Sequence, residues 1–176
     1  FDRRPWESCM TVSKKGQWSW AGHADGTKTP EQCLDMLIRC AGGDGNMLLD
    51  VGPMPDGEIA PEQVAVLKSM GGWLKKYGAS IYETRGGPWK PNEYMVSTCR
   101  GNTVYLHVLR PAVAQFDLTG IPATITRVTD WGGRIVEMKK SEGRLTFKLS
   151  PADGKPLDRI IVLTLDRPAF DIDPVK

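Results

Sequence analysis

The two halves of the chain carry different hydrophobic patterns. In the first, apolar residues recur at helical spacing. Thr29-Pro30-Glu31-Gln32 is a helix start: Thr29 can cap, Pro30 suits the first turn, and Gln32 stands where a capping box needs it. Cys33, Leu34, Leu37, Ile38 and Ala41 then mark one face, and Gly42-Gly43 ends the element. Met47-Leu48-Leu49-Asp50-Val51 is a short, nearly continuous apolar run, the pattern of a strand buried on both faces. Pro53 to Gly57 predicts a turn. Pro61 opens a second helix with Val64, Leu67, Gly71 and Leu74 at helical spacing and Gly78 as its stop. Helix, buried strand, loop, helix is the grammar of α/β folds, but one strand makes no sheet. Residues 1–88 therefore read as the end of a larger parallel α/β domain.

After Gly86-Gly87-Pro88 the pattern alternates. Val104, Leu106 and Val108 face one way, Tyr105 and His107 the other. Strands are expected near 80–84, 94–99, 102–109, 114–118, 124–130, 134–138 with 143–149, and 157–165. Short strands split by Gly and Pro at such intervals predict an antiparallel β-sandwich over residues 89–176.

Composition narrows the function classes. The chain has 176 residues, enough for one ordinary domain or a small domain plus part of another. A net charge of +2 argues against a nucleic-acid surface, and no apolar run is long enough to span a membrane. It begins at Phe1 without a signal peptide, which reads as a processed, truncated or partial chain. Cys9, Cys33, Cys40 and Cys99 form no C-x-x-C pair, and with only His23 and His107 beside them no metal site is expected. Cys33 and Cys40, seven apart on one helix face, are too distant to bridge and read as small buried hydrophobes.

Three places could carry chemistry. Glu7 follows Trp6 ahead of a segment with Trp18 and Trp20. A carboxylate near an aromatic wall is desolvated and kept available as a general acid, while indole faces stack on sugar rings. The alternative is an exposed Glu with tryptophans filling a core. Asp50 is a charge in an apolar run, either functional at the strand's C-terminal end or a partner for a neighbouring loop. Gly43-Asp44-Gly45-Asn46 is a tight turn without the ligands of a calcium loop. A Ser-His-Asp site at His23 and Asp25 has no nucleophile elbow to support it.

Several motifs stand together in a familiar order. They are Trp6-Glu7-Ser8-Cys9-Met10-Thr11, Gln17-Trp18-Ser19-Trp20, the run from Gly42 to Gly57, Gly71-Gly72-Trp73-Leu74-Lys75-Lys76-Tyr77-Gly78 and Ser80-Ile81-Tyr82. They resemble the C-terminal part of the retaining α-L-fucosidases, glycoside hydrolase family 29. The resemblance is dense over residues 5 to about 90; beyond that only the sandwich character and position agree. It implies the last part of a (β/α)8-type barrel followed by an antiparallel β-sandwich. The implied activity is release of terminal α-L-fucose from fucosylated glycans, without metal or cofactor. It also implies an exported or lysosomal location and leaves a homo-oligomer open.

Glu7 in the Trp-Glu motif is then a candidate acid/base, with an earlier Glu as the alternative. Trp6, Trp18 and Trp20 are candidate substrate contacts, Trp18 for the fucose methyl group. The family's nucleophile, an Asp on an earlier barrel strand, would lie before Phe1, so the chain alone is expected to be inactive. Asp50 stands where the family usually has Asn, and its charge is expected to shift the pH profile. The rival readings are a carbohydrate-binding sandwich module, with Trp89 or Trp131 as stacking platform, and an inactive relative.

Overall fold

The computed structural model describes residues 4–110, 113–151 and 158–175. The first unit is a short parallel sheet backed by two helices. Strand β1 (Glu7–Thr11) pairs in parallel with β2 (Asn46–Asp50), with Glu7 opposite Asn46 and Thr11 opposite Asp50. Sequence patterning missed β1, because Glu-Ser-Cys-Met-Thr neither alternates cleanly nor forms an apolar run. The unit is thus strand, helix, strand, helix. One face of the sheet packs against the helices; Leu48 on β2 stays 45% exposed, so the expected burial on both faces is not met within this chain.

Helix α1 (Pro30–Gly42) starts where expected. Thr29 accepts from the Gln32 backbone N–H, and the Gln32 side chain accepts from the Thr29 N–H, closing the capping box. The helix has two clients. Cys33 and Leu34 pack with Val12, Val66 and Met70 beneath the parallel strands, whereas Ile38 packs with Ile81 and Val96 against the sandwich. At its C-terminal end the backbone comes so close to the sandwich that a Cβ on Gly42 would lie 1.9 Å from Val96 Cγ1. Helix α2 (Pro61–Tyr77) has the expected bounds, but its buried residues are Gln63, Val66 and Met70, one step from the predicted stripe. Gln63 takes a core position because its Oε1 accepts from the Gly52 N–H, which follows β2.

The second unit is two facing antiparallel sheets. One holds β3 (Arg85–Gly86), β4 (Met95–Arg100), β5 (Thr103–Val108), β10 (Arg159–Leu165) and β7 (Ile125–Asp130), in that order. The other has the order β6 (Gln115–Thr119), β9 (Arg144–Lys148), β8 (Glu137–Ser141). The core between them is built from Val104, Leu106 and Val108, from Ile161, Leu163 and Leu165, and from Phe116 stacked on Phe147. The predicted inward face of β5 is therefore the observed one.

Three strand assignments change, the first being the strand expected near 134–138, which lies at Glu137–Ser141 because the turn at Gly133 delays it. Residues 80–84 are not a strand: Ile81 and Tyr82 both donate to the Gly78 carbonyl, and Glu83 has φ 57°, so the chain turns there. Arg85–Gly86 instead pairs with β4, so the sandwich sheet takes in residues ahead of Pro88. Strand β4 is buried on both faces, since Met95 and Cys99 enter the sandwich core while Val96 meets α1.

Asp44 locks the two units together. Its carboxylate, 2% exposed, accepts from Arg85 Nε at 2.8 Å, Arg85 Nη2 at 2.7 Å and the Gly86 N–H at 2.7 Å. Arg39 adds bonds from its guanidinium to the carbonyls of Asn92 and Glu93.

Candidate functional site

In parallel α/β units the chemistry gathers where the strands end, because the following loops converge there. In this chain that end is Thr11 to Ser13 and Asp50 to Gly52. The loop after β1 is fixed by Val12 N–H donating to the Asp50 carbonyl, by Lys28 Nζ donating to the carbonyls of Thr11 and Ser13, and by Thr11 Oγ1 donating to the Gln17 carbonyl. A Cβ on Gly52 would sit 2.7 Å from the Ser19–Trp20 backbone. Only glycine lets the two loops meet, and the contact seats Trp18-Ser19-Trp20 over the strand ends.

Trp18 is 57% exposed and Trp20 is half-buried. Trp20 meets His23 edge-on at 4.8 Å, and His23 Nδ1 lies 2.7 Å from Glu62 Oε1 at the start of α2. The Glu62 carboxyl is held below its ordinary range, first by its own backbone N–H and then by His23. Asp25 Oδ1 and Asp50 Oδ2 are buried and find no hydrogen-bond partner among the described residues. Asp50 thus stands at the strand end with one buried carboxyl oxygen that has no partner among the described residues. Sequence reasoning did not anticipate His23–Glu62 as a pair; 39 residues separate them, and no local spacing marks it.

Trp6 and Glu7 lie at the other end. Glu7 is the first residue of β1, exposed, four residues before the strand's C-terminal end, or about 13 Å along an extended chain. Trp6 packs on the turn between α1 and β2, where its Nε1 donates to the Gly43 carbonyl at 3.2 Å and its ring covers Gly45. A Cβ on Gly45 would fall 2.2 Å from the indole. The structure therefore brings Trp18 and Trp20 together and separates them from Trp6 and Glu7. The picture of Glu7 beside the loop aromatics is corrected by the direction of β1, which carries the chain away from Glu7 before the loop begins.

Other expectations also have their places. Trp89 is fully buried, with Nε1 donating to the Thr119 carbonyl, so it cannot be a stacking platform. Trp131 is half-buried, against Tyr77 and Tyr105. All four cysteines are free thiols, and burial pushes Cys33 and Cys40 above the ordinary range. Among the described residues no helix is long and apolar enough to cross a membrane.

Comparison with known proteins bears on the same end. The sequence profile of the family described as "Alpha-L-fucosidase" matches residues 1–79. An α-L-fucosidase of Branchiostoma floridae is 30% identical over 170 residues, covering 89% of this chain and 37% of that protein. The plasma α-L-fucosidase of Homo sapiens is 33% identical over 136 residues, 71% of this chain and 28% of that protein. Among solved structures, α-L-fucosidase isoenzyme 1 from Paenibacillus thiaminolyticus superposes with a TM-score of 0.79 at 29% identity, over 92% of this chain and 40% of that one. A family 29 α-L-fucosidase from Bacteroides thetaiotaomicron, solved as a trapped covalent intermediate, shares the fold with a TM-score of 0.81 at 22% identity, over 92% of this chain and 38% of that one. The chain spans about two fifths or less of the length of these relatives.

Proposed function

Because the chain belongs to the α-L-fucosidase family, of which it carries the C-terminal part, we propose that it supplies one wall of the fucose site of a retaining glycosidase. The observation that carries this reading is the Trp18-Ser19-Trp20 loop seated over the C-terminal ends of two parallel strands. Indole faces there can cover the apolar side of a pyranose ring, with Trp18 against the methyl group. Fucosylated glycans are the substrates of this reading.

Retention needs a carboxylate that attacks the anomeric carbon and expels the leaving oxygen. A second carboxyl gives that oxygen its proton and later takes one from the attacking water. The two stand about 5–5.5 Å apart. Neither role falls to Glu7 here. At the start of β1 it lies a strand's length from the loop aromatics, and its neighbour Trp6 braces the turn before β2. The nucleophile belongs to a barrel strand outside residues 1–176, and these residues alone would not turn over substrate.

The test uses the polypeptide in which these residues complete a barrel, assayed on an aryl α-L-fucoside and on a fucosylated oligosaccharide. Trp18→Ala should lower kcat/KM about 10- to 100-fold, the worth of one buried aromatic contact. Glu7→Gln should stay within about threefold of the parent on both substrates. A large loss confined to the oligosaccharide, whose leaving group needs protonation, would return the acid/base role to Glu7. Absence of fucosidase activity in the parent would reject the hydrolase reading and favour an inactive relative.

A further inference from the structure

The first turn of α2 serves both loops at the strand ends. Gln63 Oε1 accepts from the Gly52 N–H at 3.2 Å and so holds the loop after β2. Its neighbour Glu62 holds the loop after β1, because Glu62 Oε1 accepts from His23 Nδ1 at 2.7 Å. The partner of that nitrogen is Glu62 rather than Asp25, so His23 forms no Ser-His-Asp arrangement. The base of the loop after β1 is fastened by backbone bonds, from the Lys14 N–H to the Gly26 carbonyl and from the Lys28 N–H to the Val12 carbonyl. Its tip is not. Among the described residues, 18–24 reach another element by a single hydrogen bond, the one from His23 to Glu62.

Trp20 depends on this bond. The close approach of Gly52 fixes the Ser19–Trp20 main chain, but the indole can still turn about its side-chain torsions. What stops it is the His23 ring, which meets it edge-on at 4.8 Å and 84°. The space bounded by Trp20, Asp25, Glu62 and Gln63 is about 10 Å³, room for no more than about one water, so the loop tip rests closely on α2. An aromatic ring that already stands in place costs less to order when a ligand binds. We propose that His23, held by Glu62, is a positioning residue for the sugar site: it presets the Trp20 indole for the face of a pyranose ring and thereby lowers KM. The inference rests on the reading of the Trp18-Ser19-Trp20 loop as a wall of that site, and adds to it a residue that acts through Trp20.

The test uses the polypeptide with its barrel complete. It combines kinetics on an aryl α-L-fucoside with the indole N–H resonances of the tryptophans, Trp20 being assigned by Trp20→Phe. His23→Ala and Glu62→Ala should each raise KM about fivefold with kcat within about twofold, since an interaction lost equally from ground and transition state moves KM alone. The double variant should be about as impaired as either single one, because the two side chains act as a unit. Glu62→Gln keeps an acceptor for His23 and should stay within about twofold of the parent KM. The Trp20 resonance should move in both alanine variants and hold its place in Glu62→Gln. The His23 side chain is 67% exposed, so its removal leaves no core cavity and that variant keeps its fold. A parent-like KM in His23→Ala, a loss on kcat instead, or multiplying losses in the double variant would each overturn the proposal. A parent without fucosidase activity would reject the hydrolase reading instead. The Trp20 resonance then decides whether the pair holds the indole, and an unmoved resonance in His23→Ala overturns it.

Discussion

Removing the Asp44 carboxylate should loosen the junction between the parallel unit and the sandwich. Asp44 occupies the turn after α1 at φ 68°, a left-handed conformation that Asp and Asn tolerate better than Ala. Its carboxylate is nearly inaccessible, yet the Arg85 it binds is half exposed, so the ion pair itself is largely screened and contributes only about 0.5–1 kcal/mol. The larger part comes from the Gly86 N–H, which is left without its acceptor at about 1–3 kcal/mol. Placing Ala at a left-handed position adds about 1 kcal/mol. Asp44→Ala should therefore destabilise the chain by about 2.5–5 kcal/mol. Asp44→Asn keeps the turn and one acceptor oxygen, and should cost about half as much. Arg85 also stacks over Phe170 at 4.0 Å, which keeps the guanidinium from simply leaving. Urea unfolding followed by tryptophan fluorescence gives the free energies, and the slope m should not change. A midpoint for Asp44→Ala indistinguishable from wild type would refute the claim that this carboxylate joins the units. Equal losses for Ala and Asn would assign the effect to the ion pair alone.

Two further outcomes follow from buried groups. Desolvation raises the thiols of Cys33 and Cys40, with Lys28 opposing it in part at Cys33. The unfolded chain ionises such thiols near pH 8.5 while the folded chain holds them protonated. Their contribution is then complete below that pH and is lost as pH rises through the higher folded values. Unfolding titrations between pH 7 and 10 should show that loss, and a Cys33→Ala, Cys40→Ala pair, although less stable at neutral pH, should show a flatter alkaline limb. At the strand ends, Asp50→Asn in the complete hydrolase removes a negative charge beside the site. It should move the alkaline limb of the pH–rate profile to lower pH by about 0.5 unit. An unchanged profile would deny Asp50 any influence on the catalytic carboxyls.

Local chemistry made much of this protein legible from sequence. The capping box at Thr29 and Gln32, the Pro61 start and Gly78 stop of α2, and the alternation of β5 all depend on residues within a few positions of one another, and the structure repeats them. So does the run of motifs from Trp6 to Tyr82, whose order carries the family membership. Tertiary structure decided whatever depended on direction or on distant partners. Strand β1 is polar and short, and exists because β2, nearly forty residues later, offers it a parallel edge. Once β1 is a strand, its direction puts Glu7 and Trp18 at opposite ends, although the sequence sets them only eleven residues apart. The buried face of α2 is displaced because Gln63 must serve Gly52. Likewise His107 and Asp158, 51 residues apart, become one buried pair only when β5 and β10 lie side by side. Hydrogen bonding between neighbours in sequence is written into local composition; pairing across a sheet is fixed only when the whole chain has chosen its register.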